Sequence, residues 1–244
     1  MPLNLKNVLT GLFIIVAVHA FGQTQTINQY DAQGKRHGLW KKYYDEGEQL
    51  RYTGKFKHGQ EVGTFKFYKP ESGAQPAATK TYTSKSDTVI LKFYNGDGIL
   101  ITQGKLLHKK RVGEWNYFHV NSQLMMQEHY ANNQLNGWKV VYYENGQITS
   151  KEKYKNGHLN GPKLMYSKDG QLLAKYHYKN DTLEGYSKVF TVEGDLISKG
   201  RYKNGRRDGK WKFFTEGKLD SVQTYPLKKI SENILPEEVN TDTE

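Results

Sequence analysis

The sequence has no cysteine among its 244 residues and only 6 prolines. A chain without cysteine forms no disulfide and offers no cysteine for lipid attachment, so packing and hydrogen bonds must supply its stability. Amphipathic helices are also unsupported, because no window of the sequence shows an apolar stripe with helical spacing. These absences exclude a disulfide-stapled scaffold and argue against a helical fold.

Long apolar runs are scarce as well. The one clear run, from Val8 to Val18, follows Lys6 and precedes the small residues Ala20 and Gly22. This arrangement is typical of a secretory signal peptide, and the run is short for a membrane-spanning helix. We therefore predict a signal peptide over residues 1–22, cleavage near Gly22, and a mature protein that is periplasmic or extracellular. An uncleaved membrane anchor is the alternative.

What the sequence does have is a repeat of 24 residues, visible in the spacing of glycines from Gly113 to Gly209. With small irregularities the repeat extends backward to give eight units. Their opening residues are Gly38, Gly63, Val89, Gly113, Gly137, Gly161, Gly185 and Gly209. Five positions after each opening residue there is an aromatic residue, namely Tyr43, Tyr68, Tyr94, Phe118, Tyr142, Tyr166, Phe190 and Phe214. The aromatic content is only 13%, so chance does not explain this regularity.

Each unit is predicted to contain two strands and two turns. Large side chains such as Trp211 and Phe213 alternate with charged ones, which is the period of a strand. Asn145-Gly146 and its equivalents predict a two-residue primed turn, and Asn156-Gly157 predicts the second turn. Roughly sixteen strands at about 4.8 Å spacing would extend on the order of 75 Å. We predict an all-β fold, an elongated single-layer antiparallel β-meander in which no unit folds alone.

The segment from Tyr202 to Phe214, YKNGRRDGKWKFF, resembles the MORN repeat in its bacterial variant form. Weaker copies extend the resemblance over about residues 34–225, although the unit opened by Val89 and the stretch 70–78 depart from the pattern. Bacterial proteins of this kind are often labelled YwqK-family antitoxins, and eukaryotic MORN repeats are associated with lipid or protein binding. The resemblance therefore implies a binding scaffold and assigns no catalytic residue.

Positive charge is concentrated in the repeats. The whole chain has a formal net charge of +11, yet residues 231–244 contain acidic residues and neither lysine nor arginine. Lysines recur at position three of the units, on the strand face that also carries the position-five aromatic ring. We predict a ladder of cations beside rings as the binding surface, made of Lys41, Tyr43, Lys66, Tyr68, Lys92, Tyr94, Lys188, Phe190, Lys212 and Phe214. The alternative is a solvated face whose lysines prevent aggregation.

A second set of large side chains is predicted to form a buried stripe. These residues occupy position two and are Trp40, Phe65, Leu91, Trp115 and Trp211. In the middle units the large ring moves to position one, at Trp138 and Tyr186, which indicates a local change of register or face. Exposed rings that stack on sugars or peptide side chains are the alternative to core packing.

No catalytic or metal-binding pattern is found. The recurring acidic residues precede turn glycines, where they favour turn geometry. His37, His58, His108 and His158 lie in or beside the second turns without paired spacing or accompanying carboxylates, so we predict surface residues and no metal site. There is no phosphate-binding loop and no serine in a nucleophile-elbow context. We expect neither an enzyme nor a cofactor.

The predicted organisation is a signal peptide (1–22), a lead-in strand or cap (23–37), the repeat array (38–230) and a disordered acidic tail (231–244). The predicted function is that of an exported, non-enzymatic scaffold that binds a protein or another partner in the cell envelope. Two alternatives stay open: an antitoxin or immunity protein that neutralises a toxin, and a binder of anionic lipid or polysaccharide through the lysine and ring ladders. Export argues against a nucleic-acid partner.

Overall fold

A computed structural model describes residues 26–45, 47–83 and 87–227. The predicted signal peptide, the first residues of the predicted lead-in and the predicted acidic tail lie outside the described residues. Every regular element within them is a strand. The strands are β1 (Gln29–Tyr30), β2 (Arg36–Tyr43), β3 (Leu50–Lys57), β4 (Gln60–Phe67), β5 (Ala78–Tyr82), β6 (Thr88–Tyr94), β7 (Leu100–Leu107), β8 (Lys110–Phe118), β9 (Leu124–Ala131), β10 (Gln134–Tyr142), β11 (Ile148–Lys155), β12 (His158–Tyr166), β13 (Leu172–Lys179), β14 (Thr182–Leu183), β15 (Gly185–Phe190), β16 (Leu196–Lys203), β17 (Arg206–Thr215) and β18 (Lys218–Tyr225).

These strands form one open antiparallel sheet in which each strand pairs with the next along the chain. The short β14 and the following β15 both pair with β13, so together they occupy one strand position. The predicted single-layer meander is confirmed. Its sixteen long strands also match the prediction, and β1 and β14 are the two short additions. In the part of the chain that the structure describes, no helix has the length and apolar character to cross a membrane.

In the unit opened by Gly137 the two turns differ in type, whereas the first turn of the last unit, Glu216-Gly217, has positive φ at both residues. At the second turn Asn156 and Gly157 both have positive φ, 51° and 86°, and Lys155 pairs directly with His158, so this is a two-residue primed turn. At the first turn only Gly146 has positive φ (83°), and its N–H donates to the carbonyl of Tyr143 at 2.9 Å. That geometry is a type I turn followed by a left-handed glycine. The primed turn predicted at Asn145-Gly146 is therefore wrong, because the loop is longer and Asn145 does not need positive φ.

The glycines that open the units lie inside strands rather than in turns. Gly209, for example, has φ of 68° within β17, and the pairing of β16 with β17 shifts register between Lys199 and Arg201, opposite this glycine. The shift is a β-bulge, which a residue with positive φ accommodates readily. Because of the bulge, the ring of Trp211 folds back over Gly200 of the preceding strand.

The predicted buried stripe follows from these bulges. Trp211 covers Gly200, Trp115 covers Gly104 and Phe65 covers Gly54. The three rings are 2%, 4% and 0% exposed. The stripe is confirmed at these three positions, whereas Trp40 and Leu91 are half-buried.

The middle units replace the glycine and ring with another pair of residues at the same positions. Glu128 and Lys139 form one such pair, at 3.8 Å between Oε1 and Nζ, and Glu152 and Lys163 form another, at 2.8 Å. The large ring has moved to the opposite face, where Trp138 lies 5.1 Å from the ammonium groups of both Lys151 and Lys153. The predicted change of face in the middle units is thus confirmed.

The third unit departs from the others, as its sequence indicates. Val89 replaces the opening glycine, and β5 pairs with β6 without a register shift. Leu91 consequently lies directly opposite Lys80 instead of folding over a glycine.

Candidate functional site

The two faces of the sheet carry different residues. One face, here called the ring face, holds Phe65, Trp115 and Trp211. The opposite face, here called the lysine face, presents one continuous row of directly paired residues across sixteen strands. This lysine row runs Lys41, Thr53, Lys66, Thr79, Lys92, Gln103, Asn116, Gln127, Val140, Lys151, Leu164, Lys175, Lys188, Lys199, Lys212 and Val222.

The charge of the lysine row is uneven. In its first third lysine alternates with threonine, so successive lysines are two strands, or about 10 Å, apart. Four neutral residues follow, from Gln103 to Val140, and Lys151 is the single charge before the last third. In its last third four lysines lie on neighbouring strand positions and pair directly, Lys175 with Lys188, Lys188 with Lys199 and Lys199 with Lys212. We call these four residues the lysine cluster.

No carboxylate neutralises the lysine cluster within the described residues. None of its four members forms an ion pair there, and the nearby Glu184 pairs with Arg201 instead, at 3.9 Å. Three of the four side chains are exposed, and Lys199 is half-buried. Like charges directly opposite each other in a sheet are unfavourable by roughly 0.2–1 kcal/mol a pair. The cluster is therefore a site of concentrated, unbalanced positive charge.

A shallow depression of about 220 Å³ lies on the lysine cluster. Lys188, Lys199 and Lys212 line it together with Lys210 and the ring of Tyr186. Tyr186 is 77% exposed, which is unusual for a large aromatic side chain. Because its lining is almost entirely apolar, the aliphatic stems of these lysines and the ring of Tyr186 form the depression, and this suits a ligand that stacks on a ring beside a cationic surface.

The predicted binding residues are brought together only in part. The five predicted lysines, Lys41, Lys66, Lys92, Lys188 and Lys212, all lie in the lysine row. Among the described residues none of the five lies over the ring two residues later on its own strand, and the predicted row of lysines beside rings stays a prediction as a binding surface. Phe214 instead receives Lys199 from the neighbouring strand, at 5.4 Å from the ring centre. Adjacent strands are about 4.8 Å apart, closer than alternate residues of one strand, so a lysine reaches across.

The other predicted rings differ in environment. Tyr43 is 42% exposed at the end of β2, whereas Tyr68 is half-buried and burial raises its pKa. Tyr94 approaches Thr79 of the lysine row at 3.5 Å, and Phe190 is half-buried. These rings support the strand ends rather than forming a continuous exposed ladder. Their role in binding stays a prediction.

Sequence reasoning missed an arginine that stacks on the stripe. The spacing Arg-x-Gly-x-Trp occurs at Arg36, Arg111 and Arg207. Each guanidinium lies over the tryptophan four residues later, at 5.2, 5.2 and 4.5 Å. Arg111 and Arg207 also donate to a tyrosine hydroxyl of the next strand, Tyr130 at 3.0 Å and Tyr225 at 2.9 Å. The recurring five-residue spacing was the available signal, and the positive φ of its glycine is what turns the arginine onto the ring.

The histidines are not all isolated surface residues, contrary to prediction. His58 Nδ1 donates to Asp31 Oδ2 at 2.8 Å, and His158 Nδ1 donates to Asp181 Oδ2 at 2.6 Å. These hydrogen bonds lower the pKa of both aspartates. In addition, His37 brings a ring nitrogen to the first pair, so that ligand atoms of Asp31, His37 and His58 lie within 4.8 Å of one another. The prediction failed because the three residues meet only once β1, β2 and the β3–β4 turn are assembled.

These features define a β-hairpin repeat protein with an open single-layer sheet. A family model described as the MORN repeat variant matches residues 139–156 and 159–180, which span β10 to β13. The chain therefore contains MORN-variant repeats, and the resemblance is confirmed at the level of the repeat. No curated protein matches the chain. The antitoxin role that the resemblance implies stays a prediction.

Proposed function

We propose that this chain is an exported, non-enzymatic repeat scaffold whose lysine face binds an acidic protein partner in the cell envelope. The observation that carries the proposal is the lysine cluster, in which Lys175, Lys188, Lys199 and Lys212 lie directly opposite one another. A partner carboxylate between two such ammonium groups removes their repulsion and adds two attractive contacts.

The alternative, that the lysines only protect the sheet from aggregation, accounts for the first third of the row. There the lysines alternate with Thr53 and Thr79, which spreads the charge while still guarding the surface. Protection does not require four adjacent lysines, whose crowding costs stability. The contrast between the two ends of one row supports a partner at β13 to β17.

The partner can be identified by crosslinking from the depression. A photoreactive amino acid is placed at Tyr186, which is 77% exposed, or at the control position Val120, which is 73% exposed in a turn outside the cluster. In cells that export the protein, we expect a specific protein adduct from position 186 and none from position 120. Mass spectrometry of the adduct identifies the partner, and a captured toxin would support the antitoxin alternative.

The role of charge position is tested by two fourfold variants with the same net charge. The first replaces the lysine cluster with serine. The control replaces four exposed lysines outside the row, Lys109, Lys155, Lys179 and Lys203. We expect the first variant to lose the adduct and the affinity for the purified partner, and the control to retain both. Equal loss in the two variants would show that only net charge matters, which contradicts the proposal.

An acidic polysaccharide is the second candidate, and the exposed ring of Tyr186 beside four lysines is the observation that favours it. Binding of the purified chain is measured to an acidic polysaccharide, to vesicles with anionic lipid and to polyglutamate, with neutral polymers and vesicles as controls. Replacement of Tyr186 by serine is expected to weaken only the sugar interaction. If binding to polyglutamate equals binding to neutral polymer, the lysine face does not select anions.

Export is proposed from the apolar run and the small residues before Gln23. The mass of the N-terminal peptide is measured in protein recovered from the envelope fraction. A peptide that starts close to Gln23 supports cleavage and export. Full-length protein confined to the cytosol would contradict this part of the proposal and favour the antitoxin alternative.

A further inference from the structure

Two histidines and one aspartate from separate elements converge near the first edge of the sheet. Asp31 lies in the turn after β1, His37 in β2, and His58 in the turn between β3 and β4. One ligand atom from each residue lies within 4.8 Å of the other two. This cluster is far along the sheet from the lysine cluster, and a ligand bound here is independent of the proposed function.

The backbone occupies only one carboxylate oxygen of Asp31. Its Oδ1 accepts the N–H groups of Gln33 and Lys35, at 3.0 and 2.9 Å, which fixes the carboxylate in the turn. The remaining oxygen, Oδ2, accepts from His58 Nδ1 at 2.8 Å. The side chain of Asp31 is only 9% exposed, whereas that of His58 is 57% exposed. The carboxylate is therefore held in place and the imidazole is free to adjust.

His37 adds a second, independent observation. Its Nδ1 is buried and has no hydrogen-bond partner. Buried polar nitrogens are nearly always paired, so a nitrogen without a protein partner indicates a bound water or an ion. The ring centre of His37 lies 5.0 Å from that of His58, close enough for both imidazoles to bind one ion.

We propose that Asp31, His37 and His58 bind a divalent first-row transition-metal ion of the Zn²⁺ class. Two imidazole nitrogens and one carboxylate oxygen suit Zn²⁺, and three protein ligands leave one position for water. Ligand atoms of a tetrahedral zinc site are roughly 3.3 Å apart, given bond lengths of about 2.1 Å. The three ligand atoms lie within 4.8 Å of one another, so binding requires the side chains to shift, and the ion replaces the proton that His58 shares with Asp31.

The charges around the cluster limit its affinity. Arg36 precedes His37, although its guanidinium is held over the rings of Trp40 and Phe56 at 5.2 and 5.0 Å. Lys57 precedes His58, and the side chain of Lys35 lies against Gly59. These cations oppose a divalent ion, so we expect micromolar rather than nanomolar affinity. When bound, the ion joins the turn after β1 to the β3–β4 turn and so fastens the lead-in segment to the array.

The molecule contains its own control. His158 and Asp181 repeat the pair, at 2.6 Å between Nδ1 and Oδ2, and Asp181 Oδ1 likewise accepts a backbone N–H, from Leu159 at 2.7 Å. Among the described residues no third ligand joins this second pair. A metal that needs only a histidine and an aspartate would bind at both places, whereas the proposed site needs His37.

The test is calorimetric titration of the tag-free full chain with Zn²⁺. We expect one ion per chain and binding at least about tenfold weaker after His37→Gln or Asp31→Asn, with His158→Ala unchanged. Asparagine retains the oxygen that accepts from Gln33 and Lys35, and circular dichroism confirms that each variant is folded. With Co²⁺, the wild type is expected to show the visible bands of a tetrahedral complex and His37→Gln to lose them. Absence of a 1:1 zinc complex, or equal binding by His37→Gln and the wild type, would overturn the proposal.

Discussion

Glycines serve two separate purposes in this chain, and only one of them is conformational. Gly209 lies at a bulge with φ of 68°, where a side chain would strain the backbone. Gly54, Gly104 and Gly200 have ordinary φ values, but a Cβ added to them would lie 2.1–2.3 Å from the ring above. At these three positions it is the absence of a side chain that lets the ring pack against the backbone.

Replacing Gly200 with alanine tests this account. The added methyl would overlap the ring of Trp211, so we expect the free energy of unfolding to fall by about 1–3 kcal/mol. Urea denaturation measures the change. The control is Gly96→Ala, because Gly96 has no positive φ and nothing within 4 Å of an added Cβ. We expect the control to shift stability by less than about 0.5 kcal/mol. If both variants were equally stable, the ring would not depend on the glycine beneath it.

A compensating change tests the same contact from the other side. Tyr176 and Ser187 occupy in the neighbouring unit the positions that Gly200 and Trp211 occupy here. Gly200→Tyr alone is expected to destabilise the chain strongly, and the double variant Gly200→Tyr with Trp211→Ser to recover part of that loss. Urea denaturation measures the free energy of unfolding of each variant. If the losses of the two single variants simply add up in the double variant, the two positions do not compensate each other and this account is contradicted.

Within a pair of strands, the ion pairs of the middle units take the place of the ring and glycine. Lys163 Nζ lies 2.8 Å from Glu152 Oε1, and their side chains are 28% and 13% exposed. The hydrogen bond with Glu152 raises the pKa of Lys163. Burial raises the pKa of the adjacent Tyr154 to about 12, to which the charge of Glu152 contributes. The strands β11 and β12 are thus joined by a network that requires a charged lysine and a neutral tyrosine.

The pH dependence of this network has a definite sign. A lysine with a raised pKa stabilises the fold fully below the unfolded value of 10.5, and the contribution is lost as the pH rises through the raised value. A double-mutant cycle of Glu152→Gln and Lys163→Met is expected to give a coupling of roughly 1 kcal/mol at neutral pH. We expect the coupling to shrink above pH 10.5. A coupling that persists unchanged at alkaline pH would mean that packing, not charge, joins the residues.

The strands and turns were predictable because their signals are local. Alternation at Trp211 and Phe213 and the dipeptide Asn156-Gly157 predict structure from a few neighbouring residues. The bulges were not predictable in the same way, since a glycine with positive φ looks alike in a strand and in a turn. From the sequence alone Gly209 resembles a turn glycine, and only its position opposite β16 shows that it lies at a bulge.

The lysine cluster was half predictable. Position three contributed Lys188 and Lys212, but Lys151, Lys175 and Lys199, which recur at position fourteen, were overlooked although they are also 24 residues apart. Position three and position fourteen lie on neighbouring strands, so only the pairing register of the strands shows that these lysines lie opposite one another. The cluster of Asp31, His37 and His58 was out of reach, because residues 27 positions apart meet only through the order of β1 to β4.

Taken as a whole, the molecule is a one-dimensional array with two unlike ends. At the first edge the segment before β2 covers the strand: Asn28 N–H donates to Leu39 O, and its Oδ1 accepts from Lys41 N–H, both at 2.8 Å. At the other edge β18 pairs only with β17 among the described strands, and Leu219 and Val222 are 54% and 47% exposed. Among the described strands, each interior strand gains its ladder hydrogen bonds from its two neighbours, and its ring contacts lie within the strand or reach those neighbours.

Such an array should be stable only above a minimum number of units. A piece comprising residues 137–184 contains two units, yet it lacks β9 and β15, which supply the outer pairings of β10 and β13. We expect this piece to be unfolded, and pieces with four, six and eight units to unfold at progressively higher urea concentrations. Circular dichroism and amide hydrogen exchange measure both effects, with the scrambled two-unit sequence as the unfolded reference. Cooperative unfolding of the two-unit piece on its own would show that a unit buries enough of its own surface, and the stacking account of this fold would fail.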